Sequence, residues 1–380
     1  MQGFLRPITG LPTLGEDAPR LKQLSSIDGW LMLAVLLLAA VGLATIHSAS
    51  AELAVDYLPR QAFWVAVGLV LLVLVMSIDY HVLLDFSLVL YALGLVGLVL
   101  VLFVGVERGG AANWISIGPW QLQPSEFAKL ATALLLARYL SGLNRRFLSF
   151  REVAIAMLIV AVPMVLVAVQ PDLGGAAMFV PLILGTLLVA GVRWRAIVTA
   201  GLVAAALAAG VWTFGMQGYQ RQRVLTFLSP DSDPLGAGYQ VRQSKIAVGS
   251  GELFGKGYMQ GTQSQLRFLP ARHTDFILAV LAEEWGFVGV AVVLGLYAMY
   301  LTGAARVAMR ARDRAGILLV VGLLSVACFH VMYNSAMVVG FVPITGIPLP
   351  FLSYGGSFTL VSFLATGIIL GVDVRRYVNR

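Results

Sequence analysis

Ten long apolar runs divide the 380-residue chain, at roughly 29–46, 62–78, 86–106, 127–140, 153–169, 173–192, 196–215, 276–303, 315–338 and 356–372. A helix of about 20 apolar residues crosses ~30 Å of hydrocarbon, and most of the ten approach that length. Inside lipid every backbone polar group must be satisfied within its own segment, so such runs predict helices. The expected fold is an all-α integral membrane protein of about ten transmembrane helices. The fourth run is short and carries Lys129 and Arg138, so hydropathy alone supports it least. The eighth and ninth are long enough to tilt or to project from the bilayer. Composition agrees: 59% of residues are hydrophobic and 12% charged, against about 25% charged in an ordinary soluble domain. So few charges cannot cover a soluble surface of this size. The same numbers exclude a disordered chain, a fibre and a disulfide scaffold, because Cys328 is the single cysteine.

The net charge of +7 is read through topology before any partner is considered. Ten spans put both termini on one side. With the termini inside, the inner segments 1–28, 79–85, 141–152, 193–195, 304–314 and 373–380 hold fifteen Lys and Arg, whereas the short outer loops hold only Arg60 and Arg108. That asymmetry predicts N-in, C-in, and it supports the weak fourth span, without which Arg145 and Arg146 would fall outside. Basic charge therefore reports orientation, and no nucleic-acid partner is expected. The first 27 residues are polar and lack a cleavable signal pattern, so the first span is expected to be retained. The expected organisation is a cytoplasmic tail (1–28), a single ten-helix membrane domain (29–372) and a second cytoplasmic tail (373–380).

Within that domain, residues 216–275 form a sixty-residue outer loop. Loops this long are functional or disordered, and this one carries too many aromatics for disorder. It is also basic: Arg221, Arg223, Arg242, Lys245, Lys256, Arg267 and Arg272 face Asp231, Asp233 and Glu252. Long loops are exempt from the positive-inside rule, so these cations need another explanation; attraction to anionic membrane lipids is the bland one. The glycines from Gly249 to Gly257 do not match a phosphate-cradling motif and read as a turn.

Several residues stand out chemically. Asp275, in Arg-His-Thr-Asp-Phe at the entry to span eight, fits two roles: a helix cap, or a general base at the outer surface. Capping would make its carboxylate a weaker base. Glu126 and Lys129, at i and i+3, read as an intramembrane structural pair, with a transport or proton site as the rival. Glu283 and Glu284 also lie within a span. Asp172, in Gln-Pro-Asp-Leu-Gly at 170–174, reads first as a turn residue. The run 342–357 contains three prolines and cannot be one helix, so its backbone must be buried in protein or line a cavity. Thr345, Ser353, Tyr354 and Ser357 would line such a cavity. The histidines are scattered, and the common protease, P-loop and hydrolase motifs are absent from the sequence.

The chain resembles the SEDS family (shape, elongation, division and sporulation), its elongation branch above all. The resemblance is carried by Asn113-Trp114, Gln123-Pro-Ser-Glu-Phe-Ala-Lys129, Gln170-Pro-Asp-Leu-Gly174, Tyr219-Gln-Arg-Gln-Arg-Val224, Ser232-Asp-Pro-Leu-Gly-Ala-Gly-Tyr239, Gln243-Ser-Lys-Ile246, Gly261-Thr-Gln-Ser-Gln265, His273-Thr-Asp-Phe-Ile277 with Ala282-Glu-Glu284, and Gly346-Ile-Pro-Leu-Pro-Phe351 with Ser353-Tyr-Gly-Gly-Ser357. Gly175 departs from the Thr usual there. The resemblance implies a peptidoglycan glycosyltransferase that polymerises lipid II. It also implies a class B penicillin-binding protein as transpeptidase partner, and a multi-pass place in the bacterial cytoplasmic membrane beside other elongation-complex proteins. It makes Asp275 the catalytic acid/base, Glu126 and Lys129 the intramembrane pair, and Lys245 part of the essential loop. Arg221, Arg223, Ser353, Tyr354 and Ser357 complete the expected substrate contacts. A divalent cation, magnesium or manganese, is one source of charge for the leaving pyrophosphate, and loop arginine and lysine are another. The rival readings are a lipid-linked precursor flippase and a scaffold for a separate synthase.

Overall fold

The computed structural model describes residues 28–51, 56–108, 111–118, 120–143, 147–192, 198–199, 225–227, 229, 233 and 236–376. Nine of the ten expected spans coincide with helices there; the seventh, 196–215, lies almost wholly outside the described residues. The helices are α1 (Gly29–Ser50), α2 (Leu58–Ser77), the short α3 (Tyr80–Asp85), α4 (Ser87–Val104), α5 (Pro124–Ser141), α6 (Phe150–Val169), α7 (Leu173–Ala177) continued by α8 (Phe179–Ala190), then α9 (Ala237–Ser250), α10 (Thr262–Gln265), α11 (Ile277–Arg310), α12 (Arg314–Val338) and α13 (Gly356–Arg375). Eight of the described spans are long and apolar enough to cross a membrane. A small antiparallel sheet, β1 (Val106–Arg108), β2 (Ala111–Ile117) and β3 (Trp120–Leu122), connects α4 to α5. Its registers pair Val106 with Trp114 and Ile115 with Leu122.

The span that hydropathy supports least is among the best buried. In α5, Ser125, Glu126, Lys129 and Thr132 are all at most 5% exposed, because α4, α6, α12 and α13 pack around that helix. A polar helix is tolerable in lipid only if its polar face points into the bundle. The lipid-facing apolar surface is carried instead by helices such as α2 and α4, most of whose side chains are not buried.

The ends of the bundle are tied differently. At the end away from Asp275, Asp28 caps α1 by accepting from Leu31 N at 3.1 Å. It also takes two hydrogen bonds from the Arg306 guanidinium near the end of α11, each 3.1 Å. Its own N–H donates to Asp373 in the last turn of α13 at 3.0 Å. Three helices are thus joined by one partly buried charge cluster.

At the other end α11 is broken. Gly286 has φ 65° and ψ −164°, so the Phe287 and Val288 amides cannot reach the Glu283 and Glu284 carbonyls one turn back. The loop supplies what the break exposes. Phe287 N donates to Glu252 O at 2.9 Å and Val288 N to Leu253 O at 3.1 Å, while Lys256 N and Gly257 N donate to Glu283 O and Glu284 O at 3.0 Å each. All four orphaned groups are repaid by residues 252–257. Glycine is required on both sides, since a Cβ on Gly286 would lie 2.3 Å from Gly255 N and one on Gly255 would lie 2.1 Å from Glu284 O. The glycines read as a turn are therefore the segment that fills the broken helix.

Candidate active site

The described stretch of the loop before span eight, residues 236–275, is folded, and both intramembrane glutamates hold it. Glu283 is fully buried. Its carboxylate accepts from Gln263 N at 2.9 Å and Ser264 N at 3.3 Å, the orphan amides at the start of α10. It also pairs with Lys256 Nζ at 2.7 Å and takes the Thr262 hydroxyl at 3.1 Å. Glu284 accepts from the Ser48 hydroxyl at the end of α1, and Gln265 Nε2 donates to Ser48 O at 3.2 Å. Lys256, one of the loop's seven cations, is thus committed to a buried carboxylate.

Asp275 sits half-buried in the turn before α11. The cap position of that helix is Phe276, so Asp275 lies one residue outside it. The turn is pinned from three sides. Asn334 of α12, fully buried, donates from Nδ2 to Asp275 O at 2.9 Å and to Ile347 O at 2.8 Å. The Ser353 hydroxyl donates to Thr274 O at 2.7 Å, and Tyr354 N donates to His273 O at 2.9 Å. Gly346, with φ 74°, lies against the carboxylate: a Cβ there would stand 3.7 Å from Asp275 Oδ2.

The proline-rich strap 339–355 is irregular, as its prolines require, and side chains satisfy its carbonyls. Tyr297 donates to Pro350 O at 2.6 Å, Tyr333 to Pro343 O at 2.9 Å and His330 Nδ1 to Pro348 O at 2.9 Å. A carbonyl only accepts, so the His330 proton is on Nδ1. Ser353 and Ser357, read from sequence as cavity-lining, are buried and committed. Ser353 Oγ also accepts from Leu349 N at 2.9 Å, and Ser357 Oγ accepts from Gln123 N at 2.9 Å. Tyr354 remains half-buried beside the turn.

On the strap's other side, Asp172 caps α7 by accepting from Gly175 N at 2.7 Å, and its second oxygen takes Asn113 Nδ2 at 2.7 Å and Gln123 Nε2 at 3.2 Å. A Cβ on Gly174 would meet Thr345 O at 2.4 Å, so this turn rests directly on the strap. The turn role read from Gln-Pro-Asp-Leu-Gly therefore extends to joining β2 and α5 behind the site.

Glu126 and Lys129 form the expected pair, Nζ to Oε1 at 2.8 Å. Lys245 is exposed on α9, whose opposite face buries Val241, Ser244 and Ala247. Its stem crosses Gly340 just beyond the end of α12, where a Cβ would stand 2.3 Å from Cε, and Ser244 Oγ donates to Val338 O at 2.7 Å. A cation there also suits the helix C-terminus. Arg221 and Arg223 lie outside the described residues. Among the described residues no three His, Cys, Asp or Glu converge on a point that could hold a metal.

Sequence reasoning missed Asn334, whose signal was a lone amide in an apolar span, and Tyr57. Tyr57, at the start of α2, stacks on His273 with centroids 4.5 Å apart.

Comparison with known proteins decides the family. A model of the FtsW/RodA/SpoVE family, described as cell cycle proteins, matches residues 29–378. The chain belongs to this family. It is 40% identical to the peptidoglycan glycosyltransferase MrdB of Escherichia coli (strain K12), over 92% of this chain and 94% of that one. Stage V sporulation protein E of Bacillus subtilis (strain 168) is 38% identical, over 92% and 97%. Among solved structures, a chain reported under structural coordination of polymerization and crosslinking by a peptidoglycan synthase complex superposes with a TM-score of 0.80 at 33% identity, covering 92% of this chain and 98% of that one. The rod shape determining protein RodA of Thermus thermophilus does so with a TM-score of 0.70 at 32% identity, with the same coverage. The SEDS resemblance read from the motifs is this family.

Proposed function

We propose that the chain is a peptidoglycan glycosyltransferase that polymerises lipid II into β-1,4 glycan strands during cell elongation and rod-shape maintenance. Family membership and the names of its relatives support the activity. The observation that carries the site is the Asp275 turn, a half-buried aspartate on backbone pinned by Asn334, Ser353 and Tyr354. Such bracing holds a reacting group in place before the substrate arrives.

The chemistry then follows from the substrate. The donor sugar is α-linked to pyrophosphate and the product is β-linked, so one in-line displacement inverts the anomeric carbon. The acceptor 4-hydroxyl attacks, the new C–O bond forms, and the old bond's electron pair leaves with undecaprenyl pyrophosphate. Asp275 takes the hydroxyl proton. Pyrophosphate needs no acid to depart but is stabilised by cations, and Lys245, Arg221 and Arg223 are the proposed source. In this reading the site faces the outside of the bacterial cytoplasmic membrane, with both chain termini inside. A class B penicillin-binding protein crosslinks the strand, as suits a relative found in a synthase complex.

The flippase reading would need the break in α11 to border a path through the bundle, and residues 252–257 fill that break. Purified protein given lipid II in detergent separates the readings. A polymerase makes glycan strands alone, whereas a flippase or a scaffold makes none.

A further inference from the structure

The rings beside Asp275 take no part in the displacement as derived. Tyr57 lies face to face on His273 at 4.5 Å and 11°, and Tyr354 closes the cluster at 4.7 Å from Tyr57 and 5.7 Å from His273. The rings come from three distant stretches of chain: the start of α2, the Asp275 turn and the strap. All three are half-buried. Among the described residues, neither the Tyr57 hydroxyl nor a His273 ring nitrogen has a protein hydrogen-bond partner. Aromatic clusters that serve only packing bury their rings and satisfy their polar atoms. This one is only half-buried and leaves the Tyr57 hydroxyl and the His273 ring nitrogens unused, with His273 two residues from Asp275. Apolar and aromatic surface with a few placed donors and acceptors is how pockets orient a ligand, and a pyranose has an apolar C–H face rimmed by hydroxyls.

We infer that the Tyr57–His273–Tyr354 stack is the wall against which a sugar ring of the substrate rests, with the Tyr57 hydroxyl and His273 ring nitrogens hydrogen-bonded to its hydroxyl or amide groups. The inference deepens the glycosyltransferase reading and rests on it. Burial, helped by the Arg272 charge, holds the His273 pKa down to about 4. At neutral pH the ring is therefore uncharged, donating from one nitrogen and accepting at the other. That matches sugar hydroxyls, which do both; an imidazolium could only donate.

The test measures lipid II binding by native mass spectrometry to protein carrying Asp275→Asn, which does not consume the ligand under the proposed mechanism. Adding Tyr57→Phe, which keeps the ring, should weaken binding about fivefold, the worth of one neutral hydrogen bond. Adding Tyr57→Ala should weaken it on the order of tenfold or more. His273→Ala should weaken it more than His273→Gln, which can still donate and accept. Undecaprenyl pyrophosphate, which lacks the sugars, should bind parent and variants alike. Variants that hold lipid II within twofold of the parent would overturn the inference, as would equal losses for the sugar-free lipid. If Tyr57→Ala does not fold, Tyr57→Phe and His273→Gln carry the comparison. Failure of the wild type to make glycan would overturn the activity instead, a result separate from these affinities.

Discussion

Asn334 shows how much of the site depends on residues that do no chemistry. Its one amide nitrogen serves two carbonyls, Asp275 O and Ile347 O, at a fully buried position. Asn334→Leu keeps the branched side-chain shape and orphans both carbonyls. It should cost about 1–3 kcal/mol for each carbonyl left unpaired and lower polymerisation without touching substrate; thermal unfolding and an activity assay check this together. Glu126 and Lys129 make the same point for charge. Each is 5% exposed and they meet at 2.8 Å. Losing either partner leaves a buried ion alone, at ~3–5 kcal/mol. The Glu126→Gln, Lys129→Met double variant should therefore be milder than either single change, and strictly additive losses would show that the two do not interact. The pair was legible in the sequence because i, i+3 spacing on a helix is local geometry. The commitment of Lys256 to Glu283 was not, because it joins residues 27 apart across a loop that hydropathy cannot fold.

Two elements behave in ways that their residue patterns did not announce. The run from Ile277 to Arg310 reads as one long helix, yet the structure breaks it at Gly286 and fills the gap with residues 252–257. Periodicity cannot reveal such a break, because its cause is another segment's backbone. Gly286→Ala should be destabilising by more than the gain usual for Gly→Ala in a helix: the new methyl would press on Gly255 N at 2.3 Å, and φ 65° disfavours any Cβ. A rise in melting temperature would contradict this. At the opposite end the short α3 is clasped through His81, whose Nδ1 meets Asp79 at 2.9 Å and whose Nε2 meets Asp313 at 3.1 Å. Burial works against its charge, but the hydrogen bonds it donates to both carboxylates outweigh that and leave its pKa above the ordinary value. A raised pKa in the folded state gives stability that is full below the unfolded pKa of about 6.5. That stability is lost as pH rises through the folded value. Melting temperature should therefore fall across that window in the wild type, and His81→Gln should flatten the fall.

Over the whole molecule, a bundle tied by charge at one end carries a braced turn at the other. The helical membrane class followed from length and apolar content, and α5 was recovered by charge asymmetry where hydropathy faltered. Asp275 stood out in the sequence through its motif, but a cap and a base look alike there because both put an acid before a helix. What the sequence could not show is the bracing of that turn by Asn334, Ser353 and Tyr354, which reach its backbone from other elements. Ser353 and Ser357 show the converse. Their motif marks them, and the structure spends their hydroxyls on backbone. The central claim is that Asp275 removes the acceptor's proton. The direct measurement is the rate of glycan formation from lipid II by purified wild-type and Asp275→Asn protein at matched melting temperature. The account predicts a rate lower by ~10²–10⁴-fold with folding intact. Near-normal polymerisation by a normally folded Asp275→Asn protein would contradict it.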